Sequence, residues 1–224
     1  MEDLGRIHQL IVPFMGRDLT FNLDVIVMTW IAIAAMLVFG FLATRNRSRI
    51  PGPFQVLGEL FVSQLYGLTD DALEKERAKA YRPLICALFM FLLFCNWMGL
   101  FPHLHEPTKD LNTPLSLGLM GFVIAHYAGI KQKGIKEYSR AYFQPIFFMA
   151  PLNIIGELSK VISISFRLFG NIMGGSIIVL VVSHLVFSLV LPPFLNAFFV
   201  IFIGAIQAFV FTMLTLVYIS VQVN

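Results

Sequence analysis

The chain has 224 residues, of which 58% are hydrophobic and 13% charged. Soluble domains hold about 45–50% apolar and about 25% charged residues, so this balance excludes a soluble globular enzyme and describes a multi-pass membrane protein. The formal net charge of +3 does not indicate a nucleic-acid partner, because the basic residues collect in loops, where they set topology.

Residues 1–24 mix polar and apolar positions around Pro13, Gly16 and Asp18 and predict a short external tail lying at the surface. Glu2 and Asp3 stand where a basic leader would be needed, which argues against a cleavable signal peptide. Residues 25–43 form the first apolar span, and the basic run from Arg45 to Arg49 follows it. An amphipathic stretch from Phe54 to Leu68 then leads into a charged segment that ends at Arg82. Residues 83–101 read as a second span stopped by Pro102, and residues 114–130 as a third. Cys86 and Cys95 share the second span and suggest small core residues rather than a disulfide framework. His103 and His105 lack the further ligands that a metal site needs, so they read as surface loop residues.

From Pro145 the chain is apolar to its end, apart from scattered polar residues and the Pro192-Pro193 pair. Residues 147–189 and 195–221 supply two more spans, given that about 20 residues cross a bilayer. The first of these is over-long, and tilt is the usual accommodation. The fold class expected is therefore an all-α polytopic membrane protein of about five transmembrane helices, the last two forming a long, tilted antiparallel hairpin. The whole chain, 1–224, forms one membrane domain. Lys and Arg fix its orientation: residues 44–82 hold seven, residues 131–140 hold four, and residues 102–113 hold only Lys109. The two basic loops belong in the cytoplasm, with the N-terminus outside and the C-terminus inside.

The stretch Gly156–Asn171 places Arg167 inside span-like sequence, and no Asp, Glu, Lys or Arg follows it. A charged side chain at membrane depth costs from about 2.5 to more than 10 kcal/mol, and a guanidinium cannot escape by deprotonation. Such a residue must face a protein interior, a partner or a water-lined path. At helical spacing Gly156, Lys160, Ser163, Arg167, Asn171 and Gly174 share one face, with Glu157 and Ser159 beside it. Leu158, Ile162, Ile164, Leu168, Phe169 and Ile172 fall on the other. Lys160 stands closer to the cytoplasmic end, where it can snorkel. Ser163 and Ser165 can bond back to their own helix, and Gly170, Gly174 and Gly175 suit close helix approach.

Three separated motifs, SFRLFGN around Arg167, IQAFVFTMLTLVYIS from Ile206 and PTKDLNTPLSL from Pro107, together resemble subunit a of the bacterial F-type ATP synthase. The resemblance covers most of the chain from Pro83 onward. It implies a non-catalytic, ion-conducting stator subunit of the membrane (Fo) sector in the bacterial plasma (inner) membrane. It also implies a c-subunit ring, a b-subunit peripheral stalk and the remainder of the synthase as partners, with no cofactor, metal or nucleic acid. Two half-channels would carry H⁺ or Na⁺ to and from the ring carboxylates on either side of the arginine.

On this resemblance Arg167 takes the place of that arginine, Asn171 that of the asparagine after it, and Gln207 that of a glutamine on the last helix. Gln207 is then expected to hold the guanidinium through its amide oxygen. A hairpin folded about residue 187 would bring Arg167 and Gln207 level; the Pro192-Pro193 turn lies a few residues later, so the two reach similar depth only if the helices are strongly tilted. Asn153, Glu157, Ser159, Ser163 and Asn171 would line the inner half-channel. Many members carry Glu or His at the positions of Ser176 and Val200, so the usual titratable pair of the outer half-channel is missing here. Asp110, next to Asn112, matches the family's outer-loop acid and becomes the expected outer group, with His184 a second titratable candidate near the outer end. A secondary transporter would show inverted repeats and broken helices in both halves, and an intramembrane enzyme a nucleophile and base or a zinc motif such as HExxH; the sequence offers neither.

Overall fold

In the computed structural model, residues 9–14, 17–45, 52–101, 104–142, 150–185 and 191–223 are described. The segment expected to be a surface tail contains instead an antiparallel hairpin, with β1 (Gln9–Phe14) paired to β2 (Arg17–Asn22) in the register Gln9↔Asn22 to Phe14↔Arg17. Polar and apolar residues alternate poorly there, so the period-2 signal of a half-buried strand is weak.

After the hairpin most of the described residues are helical. Helix α1 spans Leu23–Arg45, α2 Pro53–Ala72, α3 Lys75–Trp97, α4 Asn112–Lys133, α5 Ile135–Tyr142, α6 Ala150–Leu185, α7 Leu191–Ala197 and α8 Gly204–Val223. A π-helical segment, Phe198–Ile203, joins α7 to α8. Five stretches are long and apolar enough to cross a membrane: Leu23–Arg45, Lys75–Leu100, Asn112–Lys133, Ala150–Leu185 and Leu191–Val223.

The helix bounds differ from the hydropathy bounds for local reasons. Helix α3 starts at Lys75 rather than at residue 83, because the charged turn before Pro83 is itself helical and stays so through the proline. The segment 44–82 is not simply a loop: it holds α2, which enters through Pro53 in its first turn, a position where the missing N–H has no cost. Residues 131–140 likewise contain the end of α4 and most of α5, joined at Gly134, whose φ of 79° favours glycine. The Pro192-Pro193 pair does not end a helix; both prolines lie in the first turn of α7. Residues 147–149 and 186–189, included in the expected spans, lie outside the described residues.

Helix α8 is the packing centre. Its buried residues Ala208, Phe211, Leu216 and Ile219 meet Leu88, Leu92 and Ile85 of α3, Ala125 and Ala128 of α4, and Ile164, Leu168 and Ile172 of α6. Small residues permit these approaches. A Cβ at Gly129 would come within 2.6 Å of Tyr138 and 3.1 Å of the Gln222 carbonyl oxygen. One at Gly121 would meet Thr215 at 3.1 Å. Cys95 packs with Ala32 and Met98, and both cysteines are free thiols.

Polar contacts pin the two ends of the bundle. At one end Arg82 grips Asp70 through two bonds of 2.7 and 2.6 Å, and Ser220 Oγ donates to the Ala72 carbonyl at 2.7 Å. At the other, fully buried Asn96 donates to the Gly204 carbonyl at 2.8 Å and accepts from Thr108 Oγ1 at 2.9 Å. Trp97 Nε1 donates to the Ile201 carbonyl at 3.2 Å. Side-chain donors from α3 thus reach carbonyls in and just after the wide π turn, where the regular ladder is displaced.

Candidate functional site

Arg167 stands at the midpoint of α6, which runs 36 residues from Ala150. At 1.5 Å per residue such a helix is roughly 54 Å long, well beyond the hydrocarbon core, so it must tilt or project. The buried stripe of α6 is Val161, Ile164, Ser165, Leu168, Ile172 and Gly175. Arg167 is outside that stripe and exposed, together with Gly156, Ser159, Ser163, Gly170 and Asn171. Among the described residues no hydrogen bond or ion pair reaches its guanidinium.

The expected greasy face is only partly buried. Ile164, Leu168 and Ile172 pack inward, whereas Leu158 and Ile162 are about half exposed at 50% and 52%. Between them and the arginine runs open surface. Gly170 and Gly174 do not mediate packing within the chain, because a Cβ at either would meet nothing within 4 Å. Gly175 does: a Cβ there would fall 2.8 Å from the Phe199 ring.

Gln207 is 3% exposed and takes its hydrogen bond from Asn171 Nδ2, at 2.6 Å, rather than from Arg167. The register explains the change. Asn171 meets Gln207, and Lys160 stands over the Tyr218 ring at 5.7 Å, so the hairpin pairs about residue 189, not 187. Arg167 therefore stands one turn from the residue expected to face it. Gln207 Nε2 is buried and has no hydrogen-bond partner among the described residues.

Towards the α6 N-terminus, Glu157 pairs with Lys160 at 2.7 Å. Both line a small crevice with His126, Thr215 and Tyr218. Glu157 is thus engaged by the neighbouring lysine and still borders internal space. Ser159 bonds back to the Ile155 carbonyl, and Ser163 is exposed on the arginine face. Asn153 is half-buried. Ser165 bonds both to its own helix, at Val161, and across to the Pro114 carbonyl of α4.

At the other end, Asp110 uses both oxygens structurally. One accepts the Asn112 backbone N–H at 2.9 Å, closing the turn into α4, and the other accepts Asn22 Nδ2 at 2.6 Å, tying in the end of β2. Ser176 bonds back to the Ile172 carbonyl, and Val200 is buried in the π segment. His184 is exposed and contacts the Leu180 carbonyl of its own helix. His105 is exposed, His103 lies outside the described residues, and no cluster of potential metal ligands occurs among the described residues.

Sequence reasoning missed Glu106. Its side chain is buried, forms an ion pair with Lys109 and borders a crevice with Asn96, Asn171, Ser176, Asn196 and Val200. Its place directly before Pro107, at the edge of the PTKDLN motif, was the available signal. A hollow of about 840 Å³ between α1, α2 and α3 contains none of the expected site residues.

Residues 26–220 match the model of the ATP synthase A chain family. The chain belongs to that family. ATP synthase subunit a of Moorella thermoacetica is 39% identical over 196 residues, covering 87% of this chain and 88% of the relative. The Bacillus subtilis subunit a is 35% identical over 236 residues, covering 95% and 96%, and that of Campylobacter jejuni is 37% identical over 196 residues, covering 85% of each. Members of the ATP synthase A chain family are non-catalytic membrane subunits. The five apolar helices agree with a multi-pass place in the membrane.

Proposed function

We propose that this chain is the ion-conducting stator subunit a of a bacterial F-type ATP synthase, assembled with a c ring and a b-type stalk in the plasma membrane. The observation that carries the reading is Arg167: a permanent charge at the midpoint of the longest apolar helix, exposed and unpaired among the described residues. An uncompensated guanidinium at that depth needs a partner. The ring carboxylates supply one, and the open surface at Gly170 and Gly174 leaves room for a ring helix to approach.

The chemistry follows from charge. Arg167 favours the ionised form of an approaching carboxylate, so the ring site releases its ion as it passes. The same charge repels a cation moving directly between the two half-channels. Asn171 links Arg167 to the rest of the protein: it lies one turn further along α6, on the same face, and its Nδ2 is fixed by Gln207. Its oxygen is not used in that bond, so it is available to a guanidinium one turn away, while Gln207 acts one step removed. The inner half-channel runs by Asn153, Glu157, Ser159 and Ser163. The outer one runs by Ser176, with Asp110, Asn112 and His184 toward its mouth. The basic segments 44–82 and 131–140 face the cytoplasm, so the β-hairpin is outside and the C-terminus inside. The ion is H⁺ or Na⁺.

A photo-crosslinking amino acid, benzoylphenylalanine, in place of Gly170 tests the ring-facing surface. Irradiated membranes should yield an adduct with the c subunit, and the same probe at Phe41, exposed on α1, should not. Absence of the adduct at Gly170 in assembled complexes would overturn the placement.

A further inference from the structure

We infer that Glu106 is the proton-collecting group of the outer half-channel, replacing the titratable pair absent at Ser176 and Val200. The inference rests on the subunit a reading above, with H⁺ as the ion. Glu106 borders the same crevice as both vacant positions, and Asn171, one turn from Arg167 on α6 and bonded to Gln207, borders it too. The crevice encloses about 10 Å³, on the scale of one water molecule. Among the described residues that line it, Glu106 is the one carboxylic acid; Asn96, Asn171, Ser176 and Asn196 offer hydrogen bonds only.

The protein builds this position with care. Thr108 Oγ1 donates to Asn96 at 2.9 Å, which locks the loop onto α3 directly after Glu106. Gly99 leaves open the volume that the Glu106 carboxylate occupies, since a Cβ there would collide with it. Asn196 Nδ2 reaches the Gly99 carbonyl at 3.3 Å and draws α7 against the same spot. A carboxylate that is 5% exposed by residue is expensive to bury without a counter-charge. Lys109, whose side chain is 32% exposed, supplies that charge from the solvent side.

The geometry suits a relay. A proton arriving from outside adds to the Glu106 carboxylate as Lys109 swings to water. The carboxylic acid then gives the proton to water in the crevice, which carries it past Ser176 and Asn171 to the ring carboxylate, and Glu106 returns to its ion pair. Asp110 cannot take this part as readily, because both of its oxygens hold structural bonds.

The test uses whole synthase in liposomes with an imposed proton gradient. Glu106→Gln keeps the shape and removes the carboxylate that would carry the proton. Synthesis per assembled complex should fall by about 10²-fold, as expected for loss of a positioned proton-transfer group. The dependence of rate on outer pH should lose its ionising limb. Ser176→Glu added to Glu106→Gln should recover much of the rate by returning a carboxylate to the same crevice, a recovery that a purely structural Glu106 would not allow. Wild-type rate and pH profile in Glu106→Gln would overturn the assignment. So would a variant whose only change is fewer assembled complexes, with each turning over normally. If Glu106→Gln does not assemble, the double variant decides: assembled but inactive double-variant complexes would also count against the relay. Arg167→Ala, assayed in parallel, separates the two readings. Normal synthesis there rejects the subunit a mechanism itself, whereas a dead Arg167→Ala beside a fully active Glu106→Gln rejects only the outer relay.

Discussion

Replacing Arg167 by alanine is expected to stop ion-driven ATP synthesis while the complex still assembles. The side chain lies outside the buried stripe of α6, so its removal opens no cavity in the bundle. On the proposed function, what is lost is the charge that discharges the ring carboxylates. A few kilocalories of electrostatic bias correspond to a fall of about two orders of magnitude or more. Arg167→Lys should fail as well. An ammonium is a point charge without the planar fork, and when desolvated it can shed its proton. Synthesis measured per assembled complex checks both variants; a near-normal rate in the alanine variant contradicts the assignment.

The second large effect concerns Gln207. Gln207→Leu retains most of the volume and removes the acceptor for Asn171 Nδ2. Asn171 then loses the contact that orients it beside Arg167. An interhelical polar contact in a membrane is worth about 1 kcal/mol, and a rate loss of about fivefold corresponds to that energy. Leucine also leaves no buried donor unsatisfied, whereas the native Gln207 Nε2 has no hydrogen-bond partner among the described residues. Folding and assembly should therefore hold while turnover falls. If the pair serves only to join α6 to α8, the result reverses: fewer assembled complexes, each working at the normal rate.

The helical membrane fold was readable because hydropathy and loop charge act over long stretches. Arg167 was equally legible, since a charge among so many apolar residues has few physical excuses. Register was not. Symmetry about residue 187 took the turn to be regular, but the chain passes through α7 and the π segment Phe198–Ile203, and Asn171 meets Gln207 instead. The hairpin at Gln9–Asn22 was hidden by its weak alternation. Glu106 was hidden for a different reason. Nothing in sequence tells that Gly99, seven residues earlier, leaves space for its carboxylate, or that Ser176, seventy residues later, borders the same crevice. Glycine roles showed the same limit: Gly175 serves packing within the chain and Gly174, one residue before it, faces open space.

The central claim is that Arg167 is the barrier between two half-channels. It is tested most directly by the ion leak through assembled Arg167→Ala complexes in liposomes, without nucleotide and under an imposed gradient. With the barrier gone, ions should cross from one half-channel to the other without turning the ring, and the gradient should collapse faster than in wild-type liposomes treated alike. Arg167→Ala complexes that hold the gradient as tightly as wild type, and still make ATP from it, would contradict the account.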